Sequence, residues 1–478
     1  MTKTNHFLAC ATVATLVWTS TPVLAQSIEE ALAAAYMNNP TLQARRAQLR
    51  ATDQGVPIAL SNWRPTVSVS GEAGLQRYRQ EVGSVSSTRD TRPVSVGVSV
   101  AQPLFRGFRT EAEIDKAEMT VMAERAALRS VEQSVLLNTA TAYVNVVRDD
   151  AVVDLNRNNE DVLGRQLQAA RDRFRVGEIT RTDVAQAEAR LSGAKSDTAS
   201  SVATLESSLA TYLRLVGQPV RSLDAPDAVP DLPVSRDEAL SRALASNPSI
   251  IAAEYTWRSA QDEIRNQRGR LLPTVDLEGA FSQGWDQSAV EDSNTRVFSA
   301  TINVSVPIYQ GGTVYSQLRQ AKHIAGQRRL EFDEATTQVR EETEQAWETL
   351  VATESRIESL RDQIDAAEIA LEGVEREAQV GARTVLDVLD AEQELLNARV
   401  DMVLARRDRL VAGYSLLAAV GGLTADALSL PVTLYDPTAN YKEVRDQWFG
   451  SSDAADGDAA LGLGGRPAGG FAEPVPAN

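Results

Sequence analysis

The chain of 478 residues contains one cysteine, Cys10, and two histidines, His6 and His323. That is too little to build a zinc site or a Ser/His or Cys/His nucleophilic pair. Positive charge is also scarce: 48 Lys and Arg against 65 Asp and Glu leave a net charge of −17. Nucleic acid is excluded as a partner, because a phosphate backbone demands a concentrated positive face. No run of about 18 apolar residues occurs, so no helix is expected to cross a membrane. Acid/base chemistry by carboxylates remains open in principle, but the acids are spread along helical stretches rather than gathered in loops. Neither an enzyme nor a cofactor is expected.

Residues 1–25 have the form of an export signal. Lys3 supplies a positive start, Phe7 to Trp18 is largely apolar, and Val23-Leu24-Ala25 fits the small-residue cleavage rule. The apolar part is too short to remain as a spanning helix. Cys10 leaves with the signal, so no disulfide can form in the mature chain. His323 then stands alone on a helical stretch and is expected at the surface.

What the chain does have is a repeat. Val176-Gly177-Glu178-Ile179-Thr180-Arg181-Thr182-Asp183-Val184 returns about 204 residues later as Val380-Gly381-Ala382-Arg383-Thr384-Val385-Leu386-Asp387-Val388. Asn39-Pro40 returns as Asn247-Pro248, Arg64-Pro65-Thr66-Val67 as Leu272-Pro273-Thr274-Val275, and Pro103-Leu104-Phe105-Arg106-Gly107 as Pro307-Ile308-Tyr309-Gln310-Gly311. The offset is about 208 early and about 204 later, so a hairpin loop between the two strand signals differs by about four residues. A unit this long is a duplicated domain rather than a solenoid turn. The copies occupy 26–217 and 235–422, joined by a Pro- and Asp-rich linker over 218–234. A further segment covers 423–449, and a Gly-, Ala-, Asp- and Pro-rich tail over 450–478 is expected to be disordered.

Each copy reads helix, strand, strand, long helix, helix. First helices are expected from about Ser27 to Ser61 and from about Ser235 to Arg270. In Val94, Val96, Val98 and Val100, and again in Phe298, Ala300, Ile302, Val304 and Val306, every second residue is apolar, the period of a strand with one wet face. Such strands suit half-buried soluble hairpins, but at about ten residues they also suit a tilted membrane strand. Four strands cannot close a barrel, since the smallest transmembrane barrels need about eight. If these strands enter a membrane, several chains must share one barrel.

The helices that follow are long. From about Thr110 to Val176 there is no proline, a reach of roughly 100 Å. Val184, Ala187, Leu191, Ala194, Thr198, Ser201, Leu205, Ser208, Tyr212 and Leu215 keep a three-four step, and so do Leu386, Leu389, Gln393, Leu396, Val400, Val403, Arg407, Leu410, Tyr414 and Leu417. A sustained 3.5 period means coiled-coil packing.

Taken together, these parts resemble the TolC family of outer-membrane efflux and secretion ducts over nearly all of 27–430. No one motif is specific; all of them duplicated in register are. The resemblance implies a mainly α fold with a small β part, in which a homotrimer forms an α-barrel tunnel continued by a shared 12-stranded β-barrel. It implies the outer membrane of a Gram-negative bacterium, with a long periplasmic extension. The implied partners are a periplasmic adaptor (membrane fusion) protein, an inner-membrane ABC or RND pump and outer-membrane lipid. The duct would conduct cargo passively. The lack of a lipid-bearing cysteine and the long tail favour type I secretion over multidrug efflux. A soluble periplasmic coiled-coil scaffold or adaptor is the alternative of another class.

The Val-Gly turns then become helix tips at the periplasmic mouth. Glycine suits the C-terminal turn of one helix, and Thr180 and Thr384 can cap the next. Val176, Gly177, Glu178, Val380, Gly381 and Ala382 would meet the adaptor. Asp387 and Asp390 lie about one helical turn apart and in a trimer would form acidic rings that favour cations; their bland alternative is solvated carboxylates at a helix start. Arg383 matches a family arginine that latches the closed tips, with Thr182 and Asp183 as partners. A family tyrosine before the second glycine is replaced by Ala378, which leaves the latch fewer bonds.

Overall fold

A computed structural model describes residues 26–450 apart from 221–222, 227 and 288–291. The signal sequence at 1–25 and the tail from 451 onward lie outside the described residues.

Each copy begins with helix, but the Asn-Pro pair divides it. The continuous helices expected over 27–61 and 235–270 are replaced by α1 (Ile28–Asn38), α2 (Pro40–Asp53) and α3 (Gly55–Ser61), and by α6 (Arg236–Ser246) and α7 (Pro248–Gly269). Proline lacks an N–H and pushes the residue before it out of the helical region, so Asn39 and Asn247 are extended, with ψ of 121° and 123°. Each asparagine then serves two helices. Its Oδ1 accepts from the backbone N–H of Thr41 (3.0 Å) or Ser249 (2.9 Å), starting α2 or α7. Its Nδ2 donates to the carbonyl of Leu215 (3.1 Å) or Ala419 (2.9 Å), in the last turn of α5 (Arg181–Val216) or α9 (Val385–Ala419). One buried side chain thus satisfies orphan groups at both a helix start and a helix end.

Four strands form one antiparallel sheet in the order β1-β4-β5-β6, with β1 (Thr66–Ala73), β4 (Val94–Phe105), β5 (Thr274–Trp285) and β6 (Asn294–Ser305). The two hairpins have the same register: Thr66 faces Ala101, and Thr274 faces Ser305. The first copy holds more than the two strands expected of it. Its loop is a hairpin of β2 (Gln76–Val82) and β3 (Val85–Thr91), which accounts for the unequal offsets. Arg89 (3.0 Å) and the backbone N–H of Arg92 (2.7 Å) both hold Asp286, fastening this hairpin to the second copy's loop.

Across the sheet Val69 pairs with Val98, Val98 with Phe281, and Phe281 with Phe298, so one face is apolar. Among the described residues nothing covers it: Val69 is 73% and Phe298 81% exposed. Ser68 and Ser99 hydrogen-bond on the opposite face at 2.7 Å.

From the sheet run α4 (Arg109–Arg175) and α8 (Thr313–Gln379), each of 67 residues and about 100 Å long. They return as α5 and α9. The main core lies midway along the chain's length, where α1, α2, α4, α5 and α9 converge around Leu32, Tyr143, Tyr212 and Leu417. The segment after α9 is fastened there by Glu132, which accepts from the Ala425 N–H (2.8 Å), and by the Tyr36 hydroxyl, which accepts from the Tyr435 N–H (3.0 Å). A short α10 (Ala439–Val444) completes it: Asn440, just inside its start, donates to the buried Asp53 at 2.8 Å.

The apolar row read along α5 is the packed one, with Ala187, Ala194, Ser201, Tyr212 and Leu215 buried. On α9 the expected row is only partly right. Leu389, Leu410, Tyr414 and Leu417 are buried, but between them the buried residues are Leu395, Ala398, Met402 and Ala405. Met402 and Ala405 pack on Ile357 and Leu360 of α8, whereas Leu396, Val400 and Val403 stay half-buried. A helix in a wall touches neighbours on two sides, and the sequence row mixed the two stripes.

Replacing Asn39 or Asn247 by Ala should cost about 1–2 kcal/mol, the usual loss for an N-cap, read as a lower midpoint of denaturant unfolding. Asn39→Asp keeps the acceptor but sets a carboxylate against the Leu215 carbonyl, and it should also lower the midpoint. An unchanged midpoint in all three would remove the double-cap account.

Candidate functional site: the paired helix tips

The far ends of the long helices are built alike. α4 is capped by Val176 and α8 by Val380, and Gly177 (φ +82°) and Gly381 (φ +79°) reverse the chain through the left-handed region. The N–H of Glu178 closes on the Arg173 carbonyl (3.0 Å) and that of Ala382 on the Glu377 carbonyl (2.9 Å). Thr180 and Thr384 then open α5 and α9 with full capping boxes, their partners being Asp183 and Asp387. All six residues expected to meet an adaptor lie exposed on these two turns, Val176 at 71% and Val380 at 80%.

The acids at the start of α9 are more engaged than free ring carboxylates would be. The Asp387 carboxylate accepts from the Thr384 backbone N–H (2.9 Å) and hydroxyl (2.8 Å), and these bonds, with Arg383 nearby, hold it below the usual carboxylate range. Asp390 is in direct contact with Arg190 of α5. That pair ties the tip of one copy to the tip of the other. Beneath it Leu389 of α9 is buried among Leu163, Leu167, Ala170, Ala187 and Ala194 of the first copy.

Arg383 does not reach Thr182 or Asp183 within the chain. It donates from Nε to Glu377 at 2.9 Å, which raises its already high pKa, and so braces its own turn. Asp183 is occupied by Thr180 (2.8 Å), and Thr182 is exposed without a side-chain hydrogen bond. Arg383 and Asp183 do share a cleft of about 730 Å3 between the two tips, which Arg173 and Glu375 also line.

Three residues of this site escaped the sequence reading. Glu377 lies across the turn from Arg383, outside helical spacing rules. Arg190 meets Asp390 only because α5 and α9 face each other, about 200 residues apart in sequence. Glu392 is half-buried, and burial, then the Glu375 carboxylate, push its pKa up against the pull of Arg399 and Arg165.

The two copies each match the family described as outer membrane efflux protein, over residues 31–218 and 239–422. The chain belongs to this family of transport proteins, and its place is the outer membrane. The soluble scaffold is thereby set aside. Outer membrane efflux protein BepC of Brucella suis is 38% identical over 434 residues, spanning 91% of this chain and 94% of its own. Outer membrane protein TolC of Escherichia coli is 25% identical over 456 residues, 91% and 90% of the two chains. Alkaline protease secretion protein AprF of Pseudomonas aeruginosa is 25% identical over 357 residues, 73% and 74%. Among solved structures, the Campylobacter jejuni CmeC outer membrane channel superposes with a TM-score of 0.76 at 16% identity, over 88% of this chain and 89% of that one. It shares the fold.

Glu392 gives a pH test. Its folded-state pKa is raised, so the protonated form is favoured by folding and stability is lost as pH rises through that value. Glu392→Gln should therefore raise the unfolding midpoint at neutral pH, and the gain should vanish below the ordinary carboxylate pKa. A gain independent of pH would contradict this.

Proposed function

We propose that three copies of the chain form one passive duct, their twelve strands closing a β-barrel in the outer membrane and their helices continuing it as a periplasmic tunnel. The observation that carries this reading is the sheet. It has an uncovered apolar face and two unpaired edges, β1 and β6. In lipid each unpaired backbone group costs several kcal/mol, so the edges must find each other on neighbouring copies.

The repeat supplies the register. Within the chain Val98 of β4 faces Phe281 of β5. The same step taken from the second copy to the next chain's first, using the offsets of 204 and 208 read from the sequence, puts Ile302 of β6 opposite Ala73 of a neighbouring β1.

At the other end each chain contributes two tips. Asp387 and Asp390 become rings of three carboxylates, which lower the energy of cations in a narrow passage. The tie Arg190–Asp390 holds the two tips together in the closed arrangement, and Arg383–Glu377 keeps the second turn in the shape that this arrangement needs. A periplasmic adaptor engages Val176, Gly177, Glu178, Val380, Gly381 and Ala382, and an inner-membrane pump supplies the energy. With an ABC exporter as that pump the cargo is protein, in type I secretion; the name of AprF supports this. Multidrug efflux with an RND pump is the second reading; the name of BepC supports efflux without saying of what.

Single-channel current across a planar bilayer tests the duct. Wild type should give discrete, cation-preferring steps, and Asp387→Ala/Asp390→Ala should lose the preference. Arg190→Ala and Arg383→Ala should each raise conductance. Steps with unchanged selectivity and conductance in every variant would keep a channel and remove these residues from its gate; no steps at all would remove the channel.

A further inference from the structure

A second cationic feature lies far from the tips, in a cleft of about 500 Å3 where α4, α8, α9 and the linker at Ala225-Pro226 meet. Five arginines line it: Arg148, Arg361, Arg406, Arg407 and Arg409. No Asp or Glu does so among the described residues, in a chain whose net charge is −17. Like charges gathered this closely repel unless something offsets them. Three are engaged within the chain, Arg409 among them. Arg148 meets Asp149 at 2.6 Å, and Asp149 is itself turned toward the Ser208 hydroxyl of α5 (2.6 Å). Arg407 meets Asp408 at 2.9 Å and the Asn145 amide oxygen at 2.7 Å. Arg361 and Arg406 make no ion pair or hydrogen bond among the described residues.

The rest of the wall is apolar, with Val144, Val147, Ile357, Val403 and Leu410. An adjoining cleft of about 470 Å3 shares Ala151, Val403 and Arg406 and lengthens the groove along α4 and α9. Guanidinium forks match carboxylate, sulfonate and phosphate oxygens. A cleft of roughly 300–1,000 Å3 with an apolar wall and a few convergent charges is of the size that takes a small molecule.

We infer that this cleft binds a small organic anion, an apolar body carrying one acidic group, with Arg361 and Arg406 on the anion and Ile357 and Val403 against the body. The site lies within a single chain and joins the first copy's α4 to the second copy's α8 and α9. It therefore does not depend on the assignment of the tips.

Naphthalene-2-sulfonate is the probe, titrated calorimetrically into the full-length protein in a non-ionic detergent, beside inorganic sulfate, uncharged 2-naphthol and hexaglutamate. The sulfonate should saturate one site per chain and bind at least ten-fold more tightly than 2-naphthol or sulfate. Arg361→Gln/Arg406→Gln should weaken it at least ten-fold. Val403→Phe, which fills the apolar wall and leaves every arginine, should weaken it as well, so a folding failure in one variant does not decide the matter. Undiminished binding in both variants, equal binding of 2-naphthol, or no saturable site would overturn the inference. So would tight hexaglutamate binding without the sulfonate, which would assign the groove to an acidic protein segment.

Discussion

Backbone hydrogen bonding in lipid is the constraint on which the rest of this structure depends. A sheet that faces hydrocarbon must pair every N–H and C=O with protein, because no water is there to do it. This chain builds four strands in one twisted sheet and stops, with an apolar face that its own helices leave open. Duplication resolves the shortfall. Because the two hairpins share one register, the joint between copies inside a chain is a template for the joint between chains. The same economy holds at the last turns of α5 and α9, where Asn39 and Asn247 do identical double duty.

The tips show where the copies stop being equivalent. Both turns use a left-handed glycine and a threonine–aspartate capping box, so their shape is symmetric. Their charges are not. Asp390 crosses to Arg190, and Arg383 has Glu377, whereas Asp183 only caps. A helix end that must be rigid in shape and switchable in its links is served by separating the two tasks: the caps and Arg383–Glu377 act within a turn, and Arg190–Asp390 acts between the copies. Exposed pairs of this kind contribute little each, typically about 0–1 kcal/mol, which suits links that break and re-form.

Most of the fold was legible in the sequence because it is periodic. Period two gave β4 and β6, freedom from proline gave α4, and the doubled Val-Gly motif marked both tips. Local chemistry that overrides a period was harder to read. Asn39-Pro40 was visible as a motif, yet its effect, to break the helix and reach across to Leu215, depends on a contact about 176 residues away in sequence. The β2–β3 hairpin has Tyr78, Arg79, Arg89 and Asp90 where alternation would mark a strand. Its strands are held by pairing with each other rather than by a buried face. In the site, Thr384 as a cap was legible, but Asp387 as its reciprocal partner was not, and Arg190 and Glu392 acquire their roles only from the way the helices pack.

The most direct measurement is disulfide trapping of the proposed edge. Cys10, within the expected export signal, is the one cysteine of the sequence, so Ala73→Cys/Ile302→Cys in a Cys10→Ser background introduces the only thiols. Within one chain these positions lie on opposite edges of the sheet, three strand spacings across and eight residues along from each other, roughly 30 Å apart and beyond the ~7 Å that a disulfide tolerates. Oxidation in outer membranes should yield a covalent three-chain species on denaturing gels, and Ala73→Cys/Val304→Cys, one step out of register, should yield much less. Chains that remain single under oxidation, or that trap equally well out of register, would contradict a barrel closed by three copies.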